Sequence, residues 1–264
     1  MILRLLLVPA IVALIALIGR YRGPRAAGML SGFPVIAAPI LYFMYLDHGL
    51  VFAQASAISA IASVVALSSF CFAYSWLSTR LRWHATIALS WLTYLALAFV
   101  IGRLAPQPLL FFAVAIATLS LQIALSPRHD QVIRTVPASN AEIAARMLCA
   151  GLLVYAVTTL AHWLGPAYSG ALAAFPVAST VIAVFSQRNH SAFHAIESLR
   201  SLQFGLISFS VFFLVLALNL DHLAFPLAFG IAAVAAVLIQ IAIIGAKAAL
   251  AARTTTARRA ESTS

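Results

Sequence analysis

His190, His194, Glu197 and Ser201 stand at i, i+4, i+7 and i+11, a spacing that puts two imidazoles, a carboxylate and a hydroxyl on one face of a helix. Two histidines and one carboxylate are enough to hold zinc with a water in its open position. The stretch 142 residues earlier keeps only His48, with Phe52 and Ala55 at the other two ligand places. The group therefore reads as the polar, solvated end of a helix. Neither a metal nor any other cofactor is expected.

Other polar residues invite chemistry of a different kind. Asp47-His48 aligns with Asn189-His190, and the pair reads either as matched gates sensitive to protons or as ordinary turn residues. Arg200 can snorkel to an interface, bind an anion or pair with Glu197 at i−3. Ser56, Ser59 and Ser68 recur as Ser198, Ser201 and Ser210, as polar helix contacts or as the lining of a pathway. The sequence has no G-x-S-x-G, no phosphate loop, no H-E-x-x-H and no paired C-x-x-C. No catalytic residue is assigned, and the chain is not expected to be an enzyme.

These recurrences belong to a larger one. Gly23-Pro24, Gly28, Leu30 and Phe33-Pro34-Val35 return as Gly165-Pro166, Gly170, Leu172 and Phe175-Pro176-Val177, and the gapless alignment of 23–76 with 165–218 is identical at 15 of 54 positions. The chain contains the same unit twice.

Composition says where that unit lives. With 64% apolar and 8% charged residues and a mean hydropathy of +1.04, the chain is far from the roughly 25% charged content of soluble domains. Apolar runs at 2–19, 29–46, 51–78, 85–102, 107–126, 143–163, 170–186, 198–218 and 223–250 predict nine transmembrane helices. Period-two alternation over segments of about ten residues, which a β-barrel needs, is missing. The first run is read as a retained helix, not a cleaved signal, because no small-x-small site precedes Arg20-Tyr21-Arg22. Cys71 and Cys149 fall in separate runs and suggest no disulfide.

The net charge of +10 would suggest nucleic acid in a soluble chain, but here it is better explained by basic cytoplasmic loops. With the N-terminus outside, 14 Lys and Arg residues fall inside, against only Arg4 and Arg103 outside. The expected topology is thus N-out and C-in, in a bacterial cytoplasmic membrane. Repeat one (1–104) holds helices 1–4, and helix 5 with its loop (105–141) links it to repeat two (142–250), which holds helices 6–9. Five helices separate the copies, so the second is inverted. Residues 251–264 are expected to be a disordered basic tail that touches anionic lipid.

A proline inside a membrane helix removes a donor and kinks or interrupts the helix, so Pro34 and Pro176, with Pro39 as a second break in copy one, mark irregular backbone. Freed carbonyls then need hydroxyls or cavity water, and Ser179 and Thr180 follow the second break closely. The run Gly170-x-Leu172-x-x-Phe175-Pro176 with Ser179 resembles the Phe-Pro-Thr segment of GlpM-like small bacterial membrane proteins, each half here being similar in length to one of them. Val35 and Val177 stand where that motif has Thr. The resemblance implies a bacterial envelope protein linked to polysaccharide production, and no defined chemistry.

Inverted repeats with interrupted helices are a recurring plan of secondary transporters. The expected function is a carrier of an unknown small solute or envelope precursor. Its pathway would be framed by Phe33, Pro34, Phe175, Pro176, Ser179, Thr180, Ser68, Ser210, Asp47, His48, Asn189, His190 and Arg200. Membrane lipids, a second copy or an envelope-assembly protein are the expected partners. The alternatives are a non-transporting accessory protein for envelope polysaccharide assembly and, third, a metal-dependent membrane enzyme.

Overall fold

A computed structural model describes residues 2–35, 37–105, 107–127, 139–164 and 175–261, with the side chains of 2–9, 158, 160–164 and 250–261 left out. The described residues form helices and no strand: α1 (Ile2–Arg22), α2 (Pro24–Gly32), α3 (Ala37–Leu77), α4 (Trp83–Ile101), α5 (Pro108–Leu125), α6 (Asn140–Leu164), α7 (Val177–Asn189), α8 (Ala192–Asn219) and α9 (Phe225–Glu261). Six of their stretches are long and apolar enough to cross a membrane: Pro24–Leu77, Trp83–Ile101, Pro108–Leu125, Asn140–Val157, Ala192–Asn219 and Phe225–Ala249. The described residues are helical, with several apolar helices suited to a membrane.

The expected helix at 29–46 is divided. α2 ends at Gly32, and Phe33-Pro34-Val35 forms a tight turn in which Val35 N donates to the Phe33 carbonyl at 2.7 Å. Pro34 lies between two helices, where it costs no helical hydrogen bond. Pro39 does not break α3; it is the third residue of that helix, in the first turn, where no intrahelical acceptor exists for an N–H. The expected break between 46 and 51 falls at Gly49, where α3 is two helical stretches, 37–48 and 50–77, joined across a kink. At φ 81°, ψ −175° this glycine redirects the chain within one residue, a conformation that a Cβ would disfavour. Residues 251–261, expected to be disordered, continue the α9 helix, as the Ala-rich run around Lys247 favours. Gly165, Pro166, Gly170 and Leu172 lie outside the described residues, as does most of the loop 127–141.

α8 is the hub. Its 28 residues span about 42 Å, and fifteen of them are buried, against α2, α3, α5, α7 and α9. Its polar side chains are satisfied within the bundle. Gln203 Nε2 donates to the Ser68 carbonyl at 3.2 Å and to Gln122 Oε1 at 3.4 Å, and Gln122 Nε2 donates to Ser69 Oγ at 2.9 Å, tying α8, α5 and α3 together. In an apolar surrounding such groups would be costly if left unpaired.

The antiparallel crossing of α3 and α8 defines two ends. At one, Gln54 of α3 donates to Asp221 Oδ1 (2.9 Å) just beyond α8, with Asp47 and His48 close by in sequence. At the other, Gln187 of α7 accepts from Tyr74 Oη (2.7 Å) and donates to the Leu81 carbonyl (3.0 Å) beyond α3. Arg20, Arg25, Arg146 and Arg188 gather at this second end, with Arg188 over the Trp83 ring.

Candidate functional site

The basic end holds a cavity of about 40 Å³ between α1, α2, α6, α7 and α8. Polar groups from four of these helices line it: Arg20, Arg146, Ser186, His190, His194 and Ser198, with Ala16, Ala27 and Ile182 as the apolar part of the wall. It lies between the short helix before the first Phe-Pro turn and the helix after the second.

Arg146 is only 6% exposed, and its Nε and Nη2 both donate to Glu142 Oε1, at 3.1 and 2.6 Å. The two are one turn apart on α6, a favourable spacing for an ion pair. A guanidinium buried to this degree needs such a partner. Across the cavity, Arg20 Nη1 donates to Asn140 Oδ1 at 2.6 Å, joining the end of α1 to the start of α6. The Arg146 guanidinium also lies 5.5 Å from the Phe185 ring centroid.

His190 sits in the turn between α7 and α8 with its Nε2 3.7 Å from Glu142 Oε1 and its ring 5.3 Å from that of His194. Burial holds His190 below the ordinary histidine range; the Glu142 carboxylate opposes this, while His194 and Arg146 reinforce it. Ser191 caps α8 by accepting from His194 N at 3.3 Å, and its hydroxyl meets His194 Nδ1 at 2.9 Å. The His-His-Glu face anticipated from spacing is thereby divided. Glu197 reaches away to α2, where Arg25 Nε meets Oε1 at 2.5 Å. No group of three metal-ligating side chains occurs among the described residues.

The other expected pathway residues are scattered. Pro34, Pro176, Ser179 and Thr180 are buried at the two turns. Phe175 packs edge-on against Trp91 and Tyr94 of α4, and Thr180 Oγ1 accepts from Trp91 Nε1 at 3.0 Å. Phe33 packs on the cluster that includes Phe212, Ala232 and Ala236. The Ser68, Ser179 and Ser210 hydroxyls donate to carbonyls of their own segments, Val65, Pro176 and Leu206. Asp47 and His48 are exposed at the far end, with His48 against Phe52. Asn189 is exposed beside the cavity residue His190, and Arg200 is half-buried farther along α8. Of the expected set, only His190 lines the cavity.

Glu142, Arg146 and Arg20 belong to this site although they are not among the residues expected from the sequence. The i, i+4 spacing of Glu142 and Arg146 was a legible signal. The meeting of Arg20 with Asn140, 120 residues apart, was not.

No protein-family profile matches this chain, and neither curated proteins nor solved structures yielded a match.

Proposed function

We propose that the chain is a nine-span inverted-repeat carrier of a small solute, N-terminus outside and C-terminus cytoplasmic, in a bacterial inner membrane. One observation carries this reading: the two Phe-Pro segments adopt the same turn. Val177 N donates to the Phe175 carbonyl at 2.8 Å as Val35 N does to Phe33 at 2.7 Å, and Thr180 N donates to Pro176 O at 2.9 Å as Ala38 N does to Pro34 O at 2.9 Å. Pro176 has φ −75°, ψ 58°, the inverse γ-turn. Side-chain identity and backbone conformation therefore recur together at an offset of 142.

The element boundaries agree with the repeat. α3 ends at Leu77 and α8 at Asn219, while α4 starts at Trp83 and α9 at Phe225, both pairs 142 apart. On this reading α2 with residues 37–48 is one interrupted span, 50–77 is the next, and α7 is the second part of another interrupted span. The gathering of arginines at one end supports the assignment of that end to the cytoplasm. Interrupted helices from two inverted halves flanking a polar cavity are the arrangement through which carriers alternate access. The likeness to GlpM-like proteins in the Phe-Pro segment fits a place in the bacterial envelope.

Reconstitution tests this. Cysteines introduced singly on both sides of Pro34 and Pro176, in a background with Cys71 and Cys149 replaced, should change their side of reagent accessibility between two conditions, and proteoliposomes should move a solute from a broad screen. Accessibility fixed to one side, together with no flux, would end the carrier reading.

A further inference from the structure

We infer that the cavity between α1, α2, α6, α7 and α8 binds a small oxyanion group, a phosphate or carboxylate. This deepens the carrier reading by naming the class of its solute, and rests on it only for the step of transport.

The wall is chemically one-sided. Arg20 and Arg146 face the cavity from α1 and α6, accompanied by the imidazoles of His190 and His194 and the hydroxyls of Ser186 and Ser198; among the described residues no carboxylate is in the lining, Glu142 standing behind Arg146 and His190. Arg20 bonds to the neutral amide of Asn140, a contact that leaves its charge uncancelled. Arg146 meets Glu142 through Nε and Nη2 on a single carboxylate oxygen, so its Nη1 stands outside that pair. A guanidinium fork is the side chain best matched to the geometry of a phosphate or carboxylate.

Helix ends do not decide the sign. The first turns of α2 and α8 contribute Pro24 and His194, whereas the ends of α1 and α7 contribute Arg20 and His190, so positive and negative dipole ends offset one another. The side-chain charges set the potential, and the apolar wall of Ala16, Ala27 and Ile182 strengthens it by excluding water. Size sets the other limit. About 40 Å³ is a few times the roughly 10–15 Å³ that admits one water, room for a small polar group. The oxyanion is either a free ion or the headgroup of an anionic lipid.

The test uses the full chain. In a neutral detergent at constant ionic strength and pH 7, inorganic phosphate and, separately, acetate are titrated by calorimetry and thermal shift. A second arm compares nanodiscs of phosphatidylcholine with discs containing phosphatidylglycerol. Saturable binding in micelles identifies a free ion; stabilisation confined to the phosphatidylglycerol discs identifies a headgroup. Arg20→Gln should weaken either by roughly tenfold, about 1.4 kcal/mol. Arg146→Gln would strand a buried carboxylate, so the informative partner is Glu142→Gln, which keeps an acceptor for Arg146 while removing the competing charge. It should tighten binding about threefold or more. No saturable binding in either arm, or affinities unmoved in both variants, overturns the site. Binding without phosphate or acetate flux in proteoliposomes would count against the carrier while leaving the site standing.

Discussion

Gly32 and Gly205 meet backbone to backbone. A Cβ placed on Gly205 would lie 2.8 Å from Gly32 Cα and 2.4 Å from the Met29 carbonyl, and one on Gly32 would lie 2.1 Å from the Leu202 carbonyl. One turn away, a Cβ on Gly28 would lie 2.0 Å from the Ser198 carbonyl. The short helix α2 is thus seated against α8 more closely than any residue with a side chain allows. The absence of a hydrophobic drive between helices in lipid makes this kind of packing the available way to hold a nine-residue helix in place.

Substituting Gly28 or Gly205 by alanine should therefore lower the unfolding midpoint in detergent by an amount corresponding to about 3 kcal/mol or more, at the upper end of overpacking costs, because backbone and not a flexible side chain blocks the added methyl. Gly230→Ala and Gly245→Ala are the matched controls. Nothing lies within 4 Å of a Cβ at either place, and each should be neutral or stabilising by roughly 0.5–1 kcal/mol through helix propensity.

Pro34→Ala and Pro176→Ala separate shape from motion. Both prolines occupy turns already outside the helices, so each single variant should cost little stability in a chemical unfolding series. On the carrier reading the double variant should lose side-switching of cysteine accessibility around both turns, since alanine restores an N–H and frees φ at each turn. Retained switching in a folded double variant would show that the turns are merely structural.

Gln203→Leu should destabilise by about 0.6–1.7 kcal/mol, the range of measured hydrogen bonds between membrane helices. The readout is SDS-induced unfolding from mixed micelles. A double-mutant cycle with Gln122→Leu should show coupling, because Gln203 and Gln122 share one network with Ser69.

Stability should also depend on pH through His190. Its folded value lies below the ordinary one near 6.5, chiefly from burial, with Glu142 opposing and His194 and Arg146 reinforcing. Between the lowered value and 6.5 the unfolded chain binds more protons than the folded one, so stability is full above 6.5 and declines as pH falls through that window. Thermal unfolding midpoints should drop between pH 7.5 and 5.5, and the drop should shrink in His190→Gln. An unchanged slope in that variant would assign the dependence to other groups.

Much of the architecture was written in one dimension. Long apolar runs require helices because lipid leaves backbone groups no other partner, and Phe33-Pro34-Val35 marked the break between α2 and α3. The exact form of the interruptions was less legible. Pro39 looked like a breaker and is not one, since a first helical turn tolerates proline, while the break between 46 and 51 narrows to a single residue, Gly49.

The functional surface divides along the same line. Sequence alone determined that the chain is apolar enough for a membrane, that 23–76 and 165–218 share 15 of 54 residues, and that its charges are few and mostly basic, because composition and sequence similarity need no tertiary contact. Tertiary structure decided which of those few charges meet. The face shared by His190, His194 and Glu197 on a helical wheel is split once α2 brings Arg25 to Glu197 and α6 brings Glu142 and Arg146 to His190. A charged side chain takes whichever partner the packing of distant helices delivers, and those partners lie 172 residues away for Glu197 and 120 for Arg20.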